Sequence, residues 1–432
     1  MNKYYLAIDI GASSGRHIIG YKENNEIKTI EVYRFENGVK EENNHLIWDI
    51  DYLLDEVIKG IKEAFSKYEI ESLSIDTWGV DYVLMNNEEE IRPVYAYRDH
   101  RANEVIDEVH SIVPFETLYE HTGCQFSSIN TIYQLYSDLK NNRLSKATDF
   151  LMIPEYLMYK LTGVKKKEFS DATTTGLINH ETLEFDEYII DKLDLPKTLF
   201  KKLDHPKTIL GYLKEDLVKQ VGGNCKVVLC ATHDTGSAVE GISMDDNDPY
   251  ISSGTWSLLG VKTDKPITDL NSMKANYSNE GGVNYNRYQK NIIGLWLAQE
   301  LRKEFFNGKD WNEIVELART SSFDGLIDIN DETFLAPKSM SQAFLDYLHV
   351  DNLEVGDYFR CAYRSLAKGY KDAIEELEKN TNKQYEKIYI VGGGAKNKYL
   401  NKLTEEFTGK KVIALPIEAT AIGNLKIQME VE

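Results

Sequence analysis

The sequence predicts an α/β protein whose two halves open alike. Three observations carry that prediction. The chain starts with an apolar run, a short Gly/Ser turn and a second apolar run, YYLAIDIG, ASSGR and HIIGYK. Residues 250–263, YISSGTWSLLGVKT, repeat that design in the second half. Between and after these hairpins, strand-like segments alternate with helical ones, the pattern of sheets covered by helices.

The first half supplies three consecutive strands, the third being EIKTIEVYRFE at 26–36. β-Branched and aromatic residues fill them, and small polar residues punctuate them. Residues 52–67 carry apolar side chains at helical spacing. SLSID (72–76) and YVLM (82–85) are strand-like runs separated by TWGVD. MIPEYLMYKLTG (152–163) is an amphipathic helix ending in a glycine. KVVLCA (226–231) is a short buried strand. In the second half, residues 294–306 and 358–380 are long helices. KIYIVGGGAKN (387–397) is a strand entering a glycine turn, and YLNKLTEEF follows as a helix. The polar stretch GISMDDNDP near residues 240–248 marks a junction. The expected domains are therefore 1–243 and 244–432.

The chain has 50 Lys and Arg against 70 Asp and Glu, a net charge of −20. Such a surface repels nucleic acid and anionic membranes, so neither is an expected partner. A loop of backbone N–H groups still binds phosphate against that global sign. The start, MNKYYLAIDIG, has no apolar leader, and no run approaches the length of a membrane span. A cytoplasmic protein is expected, as a monomer or homodimer. Cys124, Cys225, Cys230 and Cys361 lack a second ligand-spaced pair and read as buried thiols in a reducing compartment.

Three loops carry phosphate chemistry. In DIGASSGR (9–16), Gly11 and Gly15 allow close backbone approach. Ser13 and Ser14 offer hydroxyls and N–H groups, and Arg16 offers a planar donor fork. Asp9 ends the strand, where it suits a hydrated Mg²⁺. This is not a Walker loop, because GxxxxGK[ST] is absent. A tight hairpin with a capping Asp is the other reading. SSGT at 252–255 repeats the chemistry, and GGG at 392–394 leaves bare backbone on which a flat ring can lie. A plain strand-to-helix turn also explains the GGG.

CATHDTGSA (230–238) puts His233 and Asp234 at the end of an apolar strand. Asp234 is either the N-cap of the next helix or a base at the end of a strand, where α/β folds bind ligands. His233 is a sugar contact or a structural imidazole. In DTWGVD (76–81), Trp78 packs on a sugar face or is buried, and Gly79 permits close approach. YRDHR (97–101) is a polar cluster or a solvated salt-bridged turn.

Taken together, these stretches resemble the FGGY carbohydrate kinases. DIGASSGR, IDTWGVDYVL, YRDHR, MIPEYLMYKLTG, DATTTGLIN, CATHDTGSAV, YISSGTWSL, NIIGLWLAQE, FLAP, VGGGAKN and EATAIGN follow the family's order along nearly the whole chain. The resemblance implies two duplicated ribonuclease-H-like, actin-like domains. Each is a mixed five-stranded sheet flanked by helices, with a cleft between. It implies ATP and Mg²⁺ as cofactors and a small ketose, L-rhamnulose, phosphorylated on its 1-hydroxyl. Asp234 would be the proton acceptor. Ala12, Ser13, Ser14, Gly15 and Arg16 would hold the phosphates, and Thr255, Gln299 and Gly393 would complete the ATP site. Gly79, His233, Asp234, Thr235 and Asn291 would contact the sugar, and Asp9 would hold the metal through water. The sugar could also be L-fuculose or L-xylulose, and the phosphate loops alone also fit an actin-like ATPase. Two features depart from the family pattern. Leu415-Pro416 replaces the usual Gly-Pro before EAT, and the helix at Gly423 lacks its usual continuation, which would expose core and weaken ATP binding or domain closure, so an inactive, C-terminally truncated kinase is a further alternative.

Overall fold

The computed structural model describes residues 3–244, 248–306, 310–335, 337–415 and 418–431. Residues 245–247 of the expected junction, Ala336 of FLAP and Pro416 lie outside the described residues. The chain forms two compact units. The first comprises Met1–Ser243, Asp264–Arg287 and Ala419–Glu432, and the second Met244–Thr263 and Tyr288–Glu418. The first unit's opening segment runs to Ser243, and two later segments fold back with it.

The first unit is built on a six-stranded mixed sheet, in the order Ile209–Tyr212, Lys226–Val228, Ile70–Thr77, Tyr4–Ile10, Ser14–Glu23, Glu26–Glu36. This is the five-stranded sheet expected, with an antiparallel sixth strand, Ile209–Tyr212, at its edge. Tyr4–Ile10 and Lys226–Val228 both run parallel to Ile70–Thr77. Leu6, Ile8, Ile75 and Val227 are fully buried, because helices cover both faces. On one face the helix Ile50–Phe65 starts at Asp49, whose side chain accepts from the Tyr52 N–H. It lays Leu53, Val57, Ile61 and Ala64 into the core. On the other face Ala7 and Ile18 pack with Ala421, Leu425 and Met429 of the helix Ala419–Met429. That helix is well covered, with Leu425 and Ile427 almost completely buried.

The second unit arranges its strands in the order Asn286–Ile293, Trp256–Thr263, Tyr250–Ser253, Lys387–Val391, Lys411–Ala414. Its long helices include Val355–Thr381 and Lys398–Thr408. Each hairpin turn is closed by a glycine N–H, over three residues in the first and two in the second. Gly11 N–H donates to the Ser14 carbonyl at 2.9 Å, and Gly254 N–H to the Trp256 carbonyl at 2.8 Å.

The runs flanking TWGVD do not pair with each other. Tyr82–Asn86 leaves the main sheet and pairs with Asp149–Met152 and Glu89–Ile91. Val80 turns the chain away with φ 68°, a left-handed conformation unusual for a β-branched residue. No described helix is long and apolar enough to cross a membrane. All four cysteines are buried free thiols.

Candidate active site

The parallel strands of the first unit end together. Asp9 and Asp76 are register partners, each one residue from the end of its strand. Thr77 bridges to His233, and its N–H donates to the Thr232 carbonyl at 2.9 Å. The strand ends thus carry Asp9, Asp76 and the His233-Asp234 pair on neighbouring chains, at the edge where such sheets take ligands. Arg16, opposite Asp9 on the hairpin, places Nη2 2.6 Å from Asp9 Oδ2. Asn424 Nδ2 donates to Asp76 Oδ2 at 2.6 Å, while Asp76 Oδ1 is buried with no hydrogen bond. Burial pushes the Asp76 carboxyl well above its usual range, and the charges of Asp9 and Asp234 push it further. Asn424 and Arg16 oppose that shift.

Asp234 is not the helix cap. His233 occupies the N-cap of Asp234–Gly241, without a side-chain capping bond, and Asp234 is the first helical residue. Its carboxylate is therefore released from capping. Oδ1 accepts from Thr235 Oγ1 at 3.1 Å and lies 3.5 Å from His233 Nε2. The Asp234 side chain is 32% exposed, against 7% for Asp9, making it the more open carboxylate. Glu168 ties down the turn before it. Its Oε2 accepts from Thr232 Oγ1 at 2.7 Å and from Thr232 N–H at 3.2 Å, and its Oε1 caps the next helix at Ser170 N–H. Behind His233 stand two residues from the 264–287 segment. Glu280 Oε2 is 3.2 Å and Arg287 Nη2 3.3 Å from His233 Nδ1.

Gly79 is buried, and a Cβ there would come 2.9 Å from Thr174 Cγ2 and 3.2 Å from Asp171 Oδ1. Thr174 Oγ1 in turn accepts from the Val80 N–H at 3.0 Å. Asp171 is another fully buried acid pushed well above its range, by burial first and then by Glu155, Glu168 and Asp234. Trp78 is a core ring rather than a sugar platform. It is 7% exposed, 4.2 Å from the Trp48 ring, and donates its indole N–H to Asp81 Oδ2. A buried indole needs such an acceptor, and that fixes the ring inward. YRDHR is not a solvated turn either. Arg101 is buried on Asp138 and Gln134, and Asp99 accepts from Leu46 N–H, Arg101 N–H and His45. His45, Asp99 and His100 bring ligand atoms within 4.8 Å of one another, but Asp99 is already engaged by those donors.

Ala12 and Ser14 are partly exposed and Ser13 is exposed, so the turn is within reach of an anion. Asn37 braces this loop, donating Nδ2 to the Gly11 carbonyl and N–H to the Ser13 carbonyl. Gly15 has a packing reason for its missing side chain, since a Cβ would lie 2.2 Å from the Phe35 ring. In the second unit Thr255 Oγ1 meets Gln299 Oε1 at 3.1 Å. The glycine turn crosses the same hairpin. Gly392 has φ 78°, and a Cβ on Gly394 would strike Ser253 Oγ at 2.0 Å. Gly393 is exposed beside them. The structure thus gathers Thr255, Gln299 and Gly393 in one region of the second unit. Asn291 lies on the strand Asn286–Ile293 of that unit.

Sequence reasoning missed Asp76, Asp171, Glu168, Glu280, Arg287 and Asn424 as site residues. Asp76 alone had a signal, a carboxylate at the end of an apolar strand register-matched to Asp9. The others meet only through tertiary folding.

The chain belongs to the FGGY family of carbohydrate kinases. The family's N-terminal domain matches residues 4–241 and its C-terminal domain residues 249–430. It is a carbohydrate kinase with the two-domain α/β fold of that family. Within the family, it is 42% identical to a rhamnulokinase of Oceanobacillus iheyensis, over 99% of this chain and 93% of the relative. It is 40% identical to a rhamnulokinase of Bacillus subtilis, over 98% of this chain and 90% of that one. A gluconate kinase from Lactobacillus acidophilus superposes with TM-score 0.81 at 17% identity, covering 100% of this chain and 89% of that one. A Plasmodium falciparum glycerol kinase with ADP gives TM-score 0.77 at 14% identity, covering 99% and 89%. These structures establish the fold.

Proposed function

We propose that the protein transfers the γ-phosphoryl group of ATP to the 1-hydroxyl of L-rhamnulose, giving L-rhamnulose 1-phosphate and ADP. The observation that carries this reading is Asp234, a partly open carboxylate at the strand ends of a chain 40–42% identical to proteins named rhamnulokinase. Phosphoryl transfer asks the protein chiefly for positioning and charge stabilisation. Asp234 orients the hydroxyl and accepts its proton as the oxygen attacks phosphorus. His233, Thr235, Gly79 and Asn291 contact the sugar. The loop Ala12 to Gly15, with Arg16, receives the phosphates, and Thr255, Gln299 and Gly393 complete the nucleotide site.

The Asp9 carboxylate offers the hard oxygen donors that Mg²⁺ takes. Asp9 would hold the ion through water, and Arg16 supplies its counter-charge in this structure. When bound, Mg²⁺ neutralises phosphate charge as it is transferred. A cytoplasmic location belongs to the same reading, supported by the four free buried thiols.

The test is coupled ADP release with L-rhamnulose, L-fuculose, L-xylulose and glycerol. Turnover is expected to be strongest on L-rhamnulose, and strong turnover on another acceptor with none on it overturns the substrate assignment. Asp234→Asn is expected to bind ATP normally and to lose about 10²–10⁴-fold in kcat, the range of a positioned general base. Near-normal turnover rejects that role.

A further inference from the structure

Arg287 is a fully buried guanidinium beside the candidate site. It comes from Asp264–Arg287, a segment of the second sequence half that folds with the first unit. Its Nε donates to the Gly281 carbonyl at 2.9 Å, and its Nη2 lies 3.2 Å from Glu280 Oε2 and 3.3 Å from His233 Nδ1. Buried charges persist when paired and hydrogen-bonded, and Glu280 is the counter-charge here.

We propose that Arg287 is a positioning residue of phosphoryl transfer, acting through His233 on Asp234. This rests on the kinase reading above. A guanidinium only donates, so the ring nitrogen facing it is the acceptor. The hydrogen of neutral His233 then sits on Nε2, the nitrogen 3.5 Å from Asp234 Oδ1. Nη2 donates to His233 Nδ1 and faces Glu280 Oε2 as an ion pair, so the guanidinium fixes Nδ1 as the acceptor. Thr235 Oγ1 addresses the same Oδ1. Oδ1 thus accepts from Thr235 and faces the His233 Nε2–H, and Oδ2 takes the acceptor's proton. In the step, the hydroxyl O–H bond breaks and its proton passes to Oδ2. The oxygen's electron pair forms the new bond to phosphorus, and the departing ADP oxygen keeps the pair of the bond that breaks. The arrangement repeats the logic of a base oriented by a third group.

The groups facing His233 are Asp234, Glu280 and Arg287. Asp76, Asp171 and Tyr97 act electrostatically on or with Asp234. Removing the Arg287 donor leaves Nδ1 beside the Glu280 carboxylate, which favours protonating the ring. An imidazolium next to Asp234 weakens it as a base.

Two measurements test this. Nitrogen-15 NMR of histidine-labelled enzyme is expected to show His233 with Nδ1 bare and Nε2 protonated near pH 7.5. A proton on Nδ1 there overturns the proposal, whatever the enzyme's activity. Steady-state kinetics of Arg287→Met are expected to show the wild-type KM for ATP and about ten- to hundred-fold lower kcat, the size of a misplaced reacting group. A new acid limb is expected in its kcat profile. Arg287→Lys is expected to recover part of kcat and to lose the new limb. A folded Arg287→Met with wild-type kcat and an unchanged pH profile overturns the proposal. Should that variant fail to fold, Glu280→Gln carries the kinetic readout. It removes the other group facing Nδ1 while Arg287 still donates to it, so no acid limb absent from the wild type should appear, and a new limb counts against the proposal. Loss of all ketose-dependent ADP release in the wild type would instead reject the kinase reading, leaving the tautomer result standing.

Discussion

His17 lies fully buried in the first sheet, with Nε2 3.1 Å from the Val57 carbonyl and Nδ1 without a partner. Burial lowers its pKa from 6.5 to about 4, against smaller opposing effects of the Val57 carbonyl and Glu56. Between those values the unfolded chain holds a proton that the folded chain excludes. Stability should therefore fall as pH drops from about 6.5 to about 4, by up to roughly 3 kcal/mol, and then level off. Urea denaturation of wild type and His17→Phe across that range checks it, and parallel pH slopes would reject it. At this scale the sequence disclosed what local patterns disclose. Asp234 stood at the end of an apolar run, and the serine and glycine loops declared their turns. Whether Asp234 capped the helix stayed open, because one residue of register decides whether His233 or Asp234 precedes the helix. Glu168 and Arg287 gave no sign, since their partners are far away in the chain.

The helix Ala419–Met429 meets the helix Asp234–Gly241 at bare backbone. A Cβ on Gly423 would lie 1.8 Å from the Ser237 carbonyl oxygen, and one on Gly241 2.0 Å from that of Ala419. Such an approach tolerates no side chain at either glycine. Gly423→Val should therefore lower stability by at least about 1–3 kcal/mol, the usual cost of overpacking. Gly38→Ala, with nothing within 4 Å, is the control. A Gly423→Val melting curve superimposable on the control's would refute this packing. The same helix reaches Asp76 through Asn424, and Gln428 accepts from Ser72 Oγ and donates to the Leu6 carbonyl. The long amphipathic helices were legible from periodicity. This contact was not, because a stripe of small residues announces closeness without naming a partner.

At the scale of the molecule, sequence order and spatial grouping differ. The expected domains divide the chain once, whereas the first unit takes back residues 264–287 and 419–432. The duplicated hairpins predicted the repeated sheets, but nothing in a linear pattern shows a segment returning. A fragment of residues 1–243 would lack the cover that Ala421, Leu425 and Met429 give Ala7 and Ile18. It should bind an apolar dye and unfold with low cooperativity, and a fragment that melts sharply without dye binding would refute this. The returning helix also sets a schedule for synthesis. The ribosome finishes Ser243, then must add the entire second unit before Ala419 exists. At ~5–20 residues per second that wait is on the order of ten seconds or more. For that time the sheet of the nascent first unit has one greasy face open, a surface for chaperones to hold or for neighbouring nascent chains to stick to.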